Sequence, residues 1–249
     1  MSTRWWGPGH ATYSGPKHPQ ADVENLVLYN VDQGGASFRN ATAHGVRFEL
    51  VPGRGGRPPS GRAWASCYAY RIAPRGENFS AWRRVRELAS FERVDLGVFP
   101  STGRLAQVWL ALREGEMRVT REPLARGRPF SLRLVLGSPL GSPASPELVK
   151  SVVDGTVTAL QAHRDPSTVG ELSARLEPQL GASAEMLAAA LQERTRAVLG
   201  VKDRLLYTRA RGVQWSPDDE HCLAGEVLIE PVSGGRWTLA GVVEAIEPV

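Results

Sequence analysis

Cysteine, lysine and long apolar runs are all scarce in this sequence, and each shortage narrows the classes of protein to which it can belong. Cys67 and Cys222 are its only cysteines, too few for the disulfide framework of a small secreted protein. No run of about 18 apolar residues is present, so we expect no membrane-spanning helix. The first 20 residues lack the apolar core of a signal peptide. We therefore expect a cytoplasmic protein with two reduced thiols, unless the fold brings the two sulfurs together.

The cationic side chains are nearly all arginine, with three lysines among 30, and they are unevenly placed. Residues 1–146 carry 20 Lys or Arg against 11 Asp or Glu, whereas residues 147–249 carry 10 against 15. A GC-rich genome also favours arginine, so only the clustering of the arginines is evidence of function. A basic half beside an acidic half indicates either an anionic partner for the first or docking between the two.

Short apolar runs separated by turn residues predict a β-rich first half. In "VRFELV" and "SLRLVL" a charged residue stands between apolar ones, the alternation of a sheet with one wet face. The expected strands of this half are 25–31, 45–51, 63–72, 94–99, 105–112 and 130–136.

The middle of the chain changes to helical periodicity, and strands return at the end. We expect helices at 147–163, near 168–177 and at 183–200, the last with Ser183 as N-cap and Gly200 as terminator. The turn "PVSGG" predicts a hairpin between "CLAGEVLIE" and "RWTLAGVVEAI". An isolated hairpin is marginally stable, so these strands should join the first sheet. The expected class is α+β, a mainly antiparallel β-sheet with a central helical segment packed against it.

These patterns divide the chain into five regions. They are an irregular aromatic arm (1–20), an Arg-rich β-sheet region (21–136), a Pro/Gly/Ser linker (137–146), a helical region (147–200) and C-terminal strands that rejoin the sheet (201–249). The arm is unusually aromatic for a tail, so we expect it to pack on the body or on a protein partner.

The main nucleic-acid signal is "ENFSAWRRVRELASFERV" at 77–94. Fork-shaped arginine side chains bind phosphates, and interleaved aromatic rings stack on unpaired bases. The alternative is an amphipathic helix that buries its aromatic residue and leaves the arginines solvated. "RGRPF" at 126–130 could extend a basic surface. The predicted nucleic-acid-binding residues are Arg83, Arg84, Arg86, Arg93 and Trp82.

The helix expected at 147–163 places Lys150, Asp154 and Gln161 on one face, opposite a stripe of valines. A lysine and a carboxylate four residues apart most often form a surface ion pair. The functional alternative is catalytic, with Asp154 binding a metal ion and Lys150 stabilising a scissile phosphate.

The segment "LVKSVVDGTVTAL" resembles the helix of RusA-type Holliday-junction endonucleases, in which a Lys and an Asp stand four apart within "DNLxKxxxDAL". An Asp-Asp pair follows in that family, and Asp218 and Asp219 could stand for it here. The resemblance implies a divalent metal, Mg²⁺ or Mn²⁺, held by Asp154, Asp218 and Asp219, with Glu220 as a further candidate. The acidic "DxDN" cluster of the family is absent, since "ASPE" at 144–147 offers one glutamate.

The stretch "SPDDEHC" at 216–222 is open to two interpretations. Ser-Pro-Asp-Asp favours a plain acidic turn, because Pro fixes φ and Asp side chains bind nearby backbone amides. Cys222 would then open a strand as a small apolar residue. The metal interpretation requires Asp218 and Asp219 to face Asp154 and Lys150 across the fold.

Three functional hypotheses follow, because no nucleotide-binding loop, nucleophile elbow or zinc-ligand spacing is present. The first is a non-catalytic protein without a cofactor whose basic half binds an anionic partner, above all nucleic acid. The second is a RusA-like, metal-dependent endonuclease. The third is a component of a larger assembly that binds another protein through its arm. No pattern indicates the oligomeric state.

Overall fold

The computed structural model describes residues 9–15, 45–50, 66–72, 78–99, 104–140 and 145–249, with the backbone alone for 9–15 and 66–72. This part of the chain forms twelve strands and four α-helices. In chain order the strands are β1 (Gly9–Gly15), β2 (Gly45–Glu49), β3 (Ser66–Ile72), β4 (Trp82–Gly97), β5 (Arg118–Val119), β6 (Phe130–Pro139), β7 (Ala162–His163), β8 (Val201–Lys202), β9 (Leu206–Arg209), β10 (Gly212–Trp215), β11 (Cys222–Val232) and β12 (Trp237–Pro248). The helices are α1 (Arg104–Glu114), α2 (Pro146–Ala159), α3 (Pro166–Leu180) and α4 (Ala184–Gln192).

Six strands form one mixed sheet in the order β2–β11–β6–β12–β4–β5. Only β11 and β6 run parallel within it, and the other neighbouring pairs are antiparallel. The expected α+β class with a mainly antiparallel sheet is therefore confirmed. The C-terminal strands join this sheet as expected. The hairpin expected between β11 and β12 is wrong, because β6 lies between them and pairs with both.

The Arg-rich segment forms one long strand, β4, in place of a helix. Its pairing with β12 shifts register at several points, and Arg93 has a φ of 49°. Such bulges interrupt the two-residue period of a strand. Buried residues therefore recur at irregular intervals, a spacing that resembles helical periodicity in the sequence.

The strand expected at 105–112 is helix α1. Its buried residues include Val108, Trp109 and Leu112, which share one helical face. A short apolar run has the same appearance in a buried strand and in a buried helix, which is why periodicity misassigned this segment.

Helix α4 begins after the predicted N-cap, since Ser183 accepts a hydrogen bond from the Met186 amide at 3.3 Å. Helix α2 begins after Ser145, which accepts a hydrogen bond from the Leu148 amide at 3.2 Å. Helix α4 ends at Gln192, so the expected extension to Gly200 is wrong. Residues 162–163 and 201–202 of the predicted helical and C-terminal regions pair as parallel strands instead.

The helices cover the sheet through one continuous core that includes Trp109 of α1, Val152 of α2 and Leu172 of α3. At the crossing of α1 and α2, a Cβ added to Gly155 would lie 2.7 Å from the Cβ of Val108. A residue larger than glycine would therefore push the two helices apart. Among the residues with described structure, no helix has the length and apolar character that crossing a bilayer requires.

The structure differs from the prediction at the boundaries of two regions. Residues 9–15, within the arm predicted to be irregular, form β1 and pair antiparallel with β3. Strand β6 continues to Pro139, so residues 137–139 of the predicted linker belong to the sheet. The strand expected at 25–31 and most of the arm lie outside the described residues.

Candidate functional site

Two of the predicted nucleic-acid-binding arginines form ion pairs across the sheet. Arg83 Nη2 lies 2.7 Å from Glu247 Oε1, and Arg84 Nε lies 3.0 Å from Glu244 Oε1. Both glutamates belong to β12, the neighbour of β4. The positive charge of these arginines is therefore largely balanced within the fold.

The other two arginines of β4 differ from each other. Arg86 donates from Nη1 to the Glu122 carbonyl at 2.8 Å, which ties β4 to the loop after β5. Arg93 is exposed at the bulge. The binding role of the four arginines stays a prediction.

Trp82 does not present its ring for stacking. Only 6% of the residue is exposed, and its Nε1 donates to the Leu50 carbonyl at 2.5 Å. It packs in a small cluster with Phe79, Ala224 and Ile246. The expectation that Trp82 stacks on bases is wrong, because the indole is part of the protein interior.

Lys150 and Asp154 lie where the helical spacing places them. Lys150 Nζ is 3.0 Å from Asp154 Oδ1, and the Asp154 side chain is largely buried. The pair is thus less exposed than an ordinary surface ion pair. Its catalytic role stays a prediction.

The acidic turn lies against the end of α2. The amide of Asp218 donates to Gln161 Oε1 at 3.2 Å, and the Asp218 carboxylate forms an ion pair with Lys202. Residues 219–221 form a 3-10 helix before Cys222, which is buried as expected of a small apolar residue. The segment connects β10 to β11, as the turn interpretation expects.

Metal binding by the acidic residues gains no geometric support. Among the described residues, which include Asp154, Asp218 and Asp219, no group of three or more His, Cys, Asp or Glu side chains is placed to hold an ion. The assignment of these three residues as metal ligands stays a prediction.

A basic cleft of about 860 Å³ opens beside the acidic turn. This volume lies in the range of roughly 300–1,000 Å³ that is common for ligand sites. Its lining contains three carboxylates, those of Asp203, Asp218 and Glu220. It also contains five cationic side chains, which are Arg126, Arg128, Arg164, Lys202 and Arg204.

One wall of the cleft is the loop before β6. The amide of Leu124 donates to the Val198 carbonyl at 2.7 Å, and Gly127, with a φ of 76°, completes a turn in the left-handed region. This turn separates Arg126 from Arg128, and both side chains are exposed. Neither arginine forms a salt bridge with a described residue, so both charges are available to a ligand.

The facing wall is built from β8 and the residues that follow it. Lys202 pairs in register with His163 of β7, and the Arg164 amide donates to the Lys202 carbonyl at 2.9 Å. Arg164 forms an ion pair with Asp203 at 2.9 Å. Arg204 is exposed beyond this pair.

The residues under this wall have shifted pKa values. Burial lowers the pKa of His163 below its ordinary 6.5, so the ring is neutral at pH 7. Its Nε2 lies 2.9 Å from Thr168 Oγ1. Hydrogen bonds from Ser167 hold the pKa of Asp165 below its ordinary range, and the charge of Arg204 contributes.

The hairpin of β9 and β10 continues the cationic surface. Tyr207 lines the cleft and is 39% exposed, and Arg209 and Arg211 are exposed toward the hairpin tip. Tyr207 and Arg209 share one face of β9, because alternate residues of a strand point the same way. Arginine and an aromatic ring are thus interleaved on an exposed surface here.

Sequence reasoning anticipated the basic stretch at 126–130 but missed Lys202, Arg204 and Tyr207. These residues belong to the half of the chain with a net negative charge. The net charge summed over residues 147–249 therefore concealed this local cluster of cations. Residues 202–211 alone hold four cations and one carboxylate. A short charge window over "VKDRLLYTRARG" would have found this cluster.

The aromatic residues of the N-terminal arm lie outside the side chains that the structure describes. Binding of a protein partner through the arm stays a prediction. No family model, curated protein or solved structure gives a significant match to the chain.

Proposed function

We propose that the protein binds nucleic acid, without catalysing a reaction on it, through the basic cleft and the hairpin beside it. The observation that carries this proposal is the surplus of cations in the cleft, five against three carboxylates. Arginine recognises phosphate with paired N–H donors, and a phosphodiester backbone supplies a row of such acceptors. A cytoplasmic location belongs to the same proposal.

The division of charge within the cleft supports a phosphodiester ligand. Lys202 and Arg164 are neutralised by Asp218 and Asp203. These two cations already have anionic partners, whereas Arg126 and Arg128 are left to contact the ligand. Arg204 completes the set of three arginines that the ligand would neutralise.

Binding of this kind depends steeply on salt, because neutralised phosphates release condensed counterions. A single strand contacted by these three arginines should lose about 20-fold in affinity between 50 and 200 mM salt, from a slope of roughly −0.7 per phosphate. Fluorescence anisotropy with a labelled 20-nucleotide DNA and the matching RNA measures this directly.

A triple variant tests where the ligand binds. Arg126→Gln, Arg128→Gln and Arg204→Gln together should weaken binding at 50 mM salt by at least about 30-fold, since three phosphate contacts are lost. Circular dichroism and the melting temperature establish that the variant is folded.

The matched comparison removes the same three charges from β4, through Arg83→Gln, Arg84→Gln and Arg93→Gln. The change in net charge is identical, so a difference reports position alone. We expect this variant to lose less than about threefold, because two of its arginines already pair with glutamates. No wild-type binding to DNA or RNA at 50 mM salt, or equal losses in the two variants, would overturn the proposal.

A metal-dependent phosphodiesterase of RusA type is the second candidate. The observation that favours it is the Lys150–Asp154 pair on α2, with Lys150 Nζ 3.0 Å from Asp154 Oδ1 and the carboxylate largely buried. Incubation of branched and linear DNA with Mn²⁺ tests it. Cleavage that Asp154→Asn and Asp218→Asn each abolish would support this candidate, and no cleavage would remove it.

A further inference from the structure

We infer that the ligand of the cleft is a single strand, with one unpaired base stacked on the ring of Tyr207. This inference rests on the proposed function and gives its ligand class. It arises from the position of one exposed aromatic ring among the cations that would hold phosphates.

The hairpin that carries Tyr207 is fixed at its tip. Arg175 Nη1 donates to the carbonyls of Ala210 at 2.6 Å and Gly212 at 3.2 Å, and its Nη2 lies 2.6 Å from a carboxylate oxygen of Glu171. The tip is thereby attached to α3. The hairpin is therefore ordered before a ligand binds, so a stacking base does not incur the entropic cost of ordering it.

The inner face of the hairpin is packed on the core. Trp215 of β10 lies 5.2 Å from Trp109 between ring centroids, and Trp109 is fully buried. Leu206, the register partner of Trp215, is buried as well. Tyr207 follows Leu206 and therefore points to the opposite, solvent-facing side.

The outer face of the hairpin places Tyr207 between cations. Gln214 is the register partner of Tyr207, and its Oε1 accepts a hydrogen bond from Arg209 Nη1 at 2.6 Å. Same-face neighbours on a strand lie about 6.6–6.8 Å apart, so Arg209 stands within reach of a phosphate next to a stacked base. Arg204 lines the same cleft as Tyr207.

The tyrosine ring has no other role in the described part of the chain. It is absent from the buried clusters, and its hydroxyl has no hydrogen bond to a described residue. A surface aromatic residue inside a cationic cleft is the arrangement that sequence-tolerant single-strand binding uses. Bases in a duplex are covered by their neighbours and cannot lie flat on this ring.

The test compares ligands that differ in whether they offer an unpaired base for stacking. Wild-type protein is titrated with a 20-nucleotide thymidine strand, with an abasic strand of equal length and charge, and with a 20-base-pair duplex. We expect the thymidine strand to bind about tenfold more tightly than the abasic strand, the gain from one stacked base. The duplex should bind no more tightly than the abasic strand.

Substitution of Tyr207 then tests whether its ring provides the difference in affinity between the thymidine and abasic strands. Tyr207→Leu should weaken the thymidine strand to the level of the abasic strand and leave the abasic affinity unchanged, whereas Tyr207→Phe should retain the wild-type pattern. Equal binding of thymidine and abasic strands by the wild type, or equal losses for both with Tyr207→Leu, would overturn the inference. If the inference fails but the strands still bind through the three cleft arginines, the proposed function is retained without base stacking. If no strand binds, both fail.

Discussion

Strand β4 and the β9–β10 hairpin both interleave arginine with aromatic residues, yet the fold uses them in opposite ways. In β4 the ring of Trp82 is buried, and Arg83 and Arg84 pair with glutamates of β12. In the hairpin the ring of Tyr207 is exposed, and the neighbouring arginines face solvent. The two segments have a similar composition, but only the hairpin exposes its aromatic ring to solvent.

The difference lies in what stands next to each strand. Strand β4 lies beside β12, where Glu247 is the register partner of Arg83 and Glu244 lies 3.0 Å from Arg84. Among the described strands, β9 and β10 pair only with each other, and β10 contains no carboxylate. A cluster of arginine and aromatic residues therefore indicates binding only where the neighbouring strand supplies no carboxylates.

The largest expected effect is a difference between Trp82 and Tyr207 in their contribution to the free energy of unfolding. Trp82→Ala should lower the free energy of unfolding by about 3–4 kcal/mol, because it leaves a cavity and an unsatisfied carbonyl. Tyr207→Ala should cost less than about 1 kcal/mol, since the ring is partly solvated already. Urea unfolding followed by circular dichroism measures both. Equal losses would contradict the assignment of one ring to the interior and the other to a ligand.

The next effect concerns the salt dependence of binding. Removing two cleft charges with Arg128→Gln and Arg204→Gln should make the slope of log K against log salt shallower by about 1.4, roughly 0.7 per lost phosphate contact. Arg83→Gln with Arg84→Gln removes the same charge from β4 and should leave the slope unchanged. Anisotropy titrations at five salt concentrations give the slopes, and a shallower slope for the β4 pair would reverse the comparison.

The smallest effect is a pH dependence confined to the cleft side of the molecule. Burial lowers the pKa of His163 in the folded state, while the unfolded chain titrates near 6.5. Below that pH the unfolded state binds more protons, so stability present at pH 7 is lost progressively as the pH falls. Strand β4 contains no histidine.

Hydrogen exchange at pH 7 and pH 5.5, corrected for the intrinsic rates, can detect this effect. Peptides from β7 and β8 should lose more protection on acidification than peptides from β4. His163→Gln should remove the difference, because Gln can still contact Thr168 but does not titrate. An unchanged pH response in that variant would assign the effect to other groups.

Local signals in the sequence were sufficient for part of the fold. The start of α4 at Ser183 was predicted because a capping side chain bonds to an amide only three residues away. The pairing of Lys150 with Asp154 was predicted for the same reason. The α+β class followed from the succession of strand and helix patterns.

Long-range features were not accessible in the same way. The insertion of β6 between β11 and β12 joins segments about 90 to 115 residues apart, and turn chemistry reports only on adjacent strands. The walls of the cleft likewise come from residues 124–130 and 199–207, which only the folded chain brings together. The cleft could not be assembled from the sequence, although the charge of each wall was visible in it.

Cross-linking of the bound oligonucleotide to the protein tests the central claim most directly. A thymidine strand that carries 4-thiothymidine is irradiated in complex with the wild-type protein, and the attached peptides are identified by mass spectrometry. We predict attachment to the peptide that contains Tyr207, with further sites at residues 124–130. Attachment concentrated in residues 78–97, with the hairpin and the cleft unlabelled, would contradict the account.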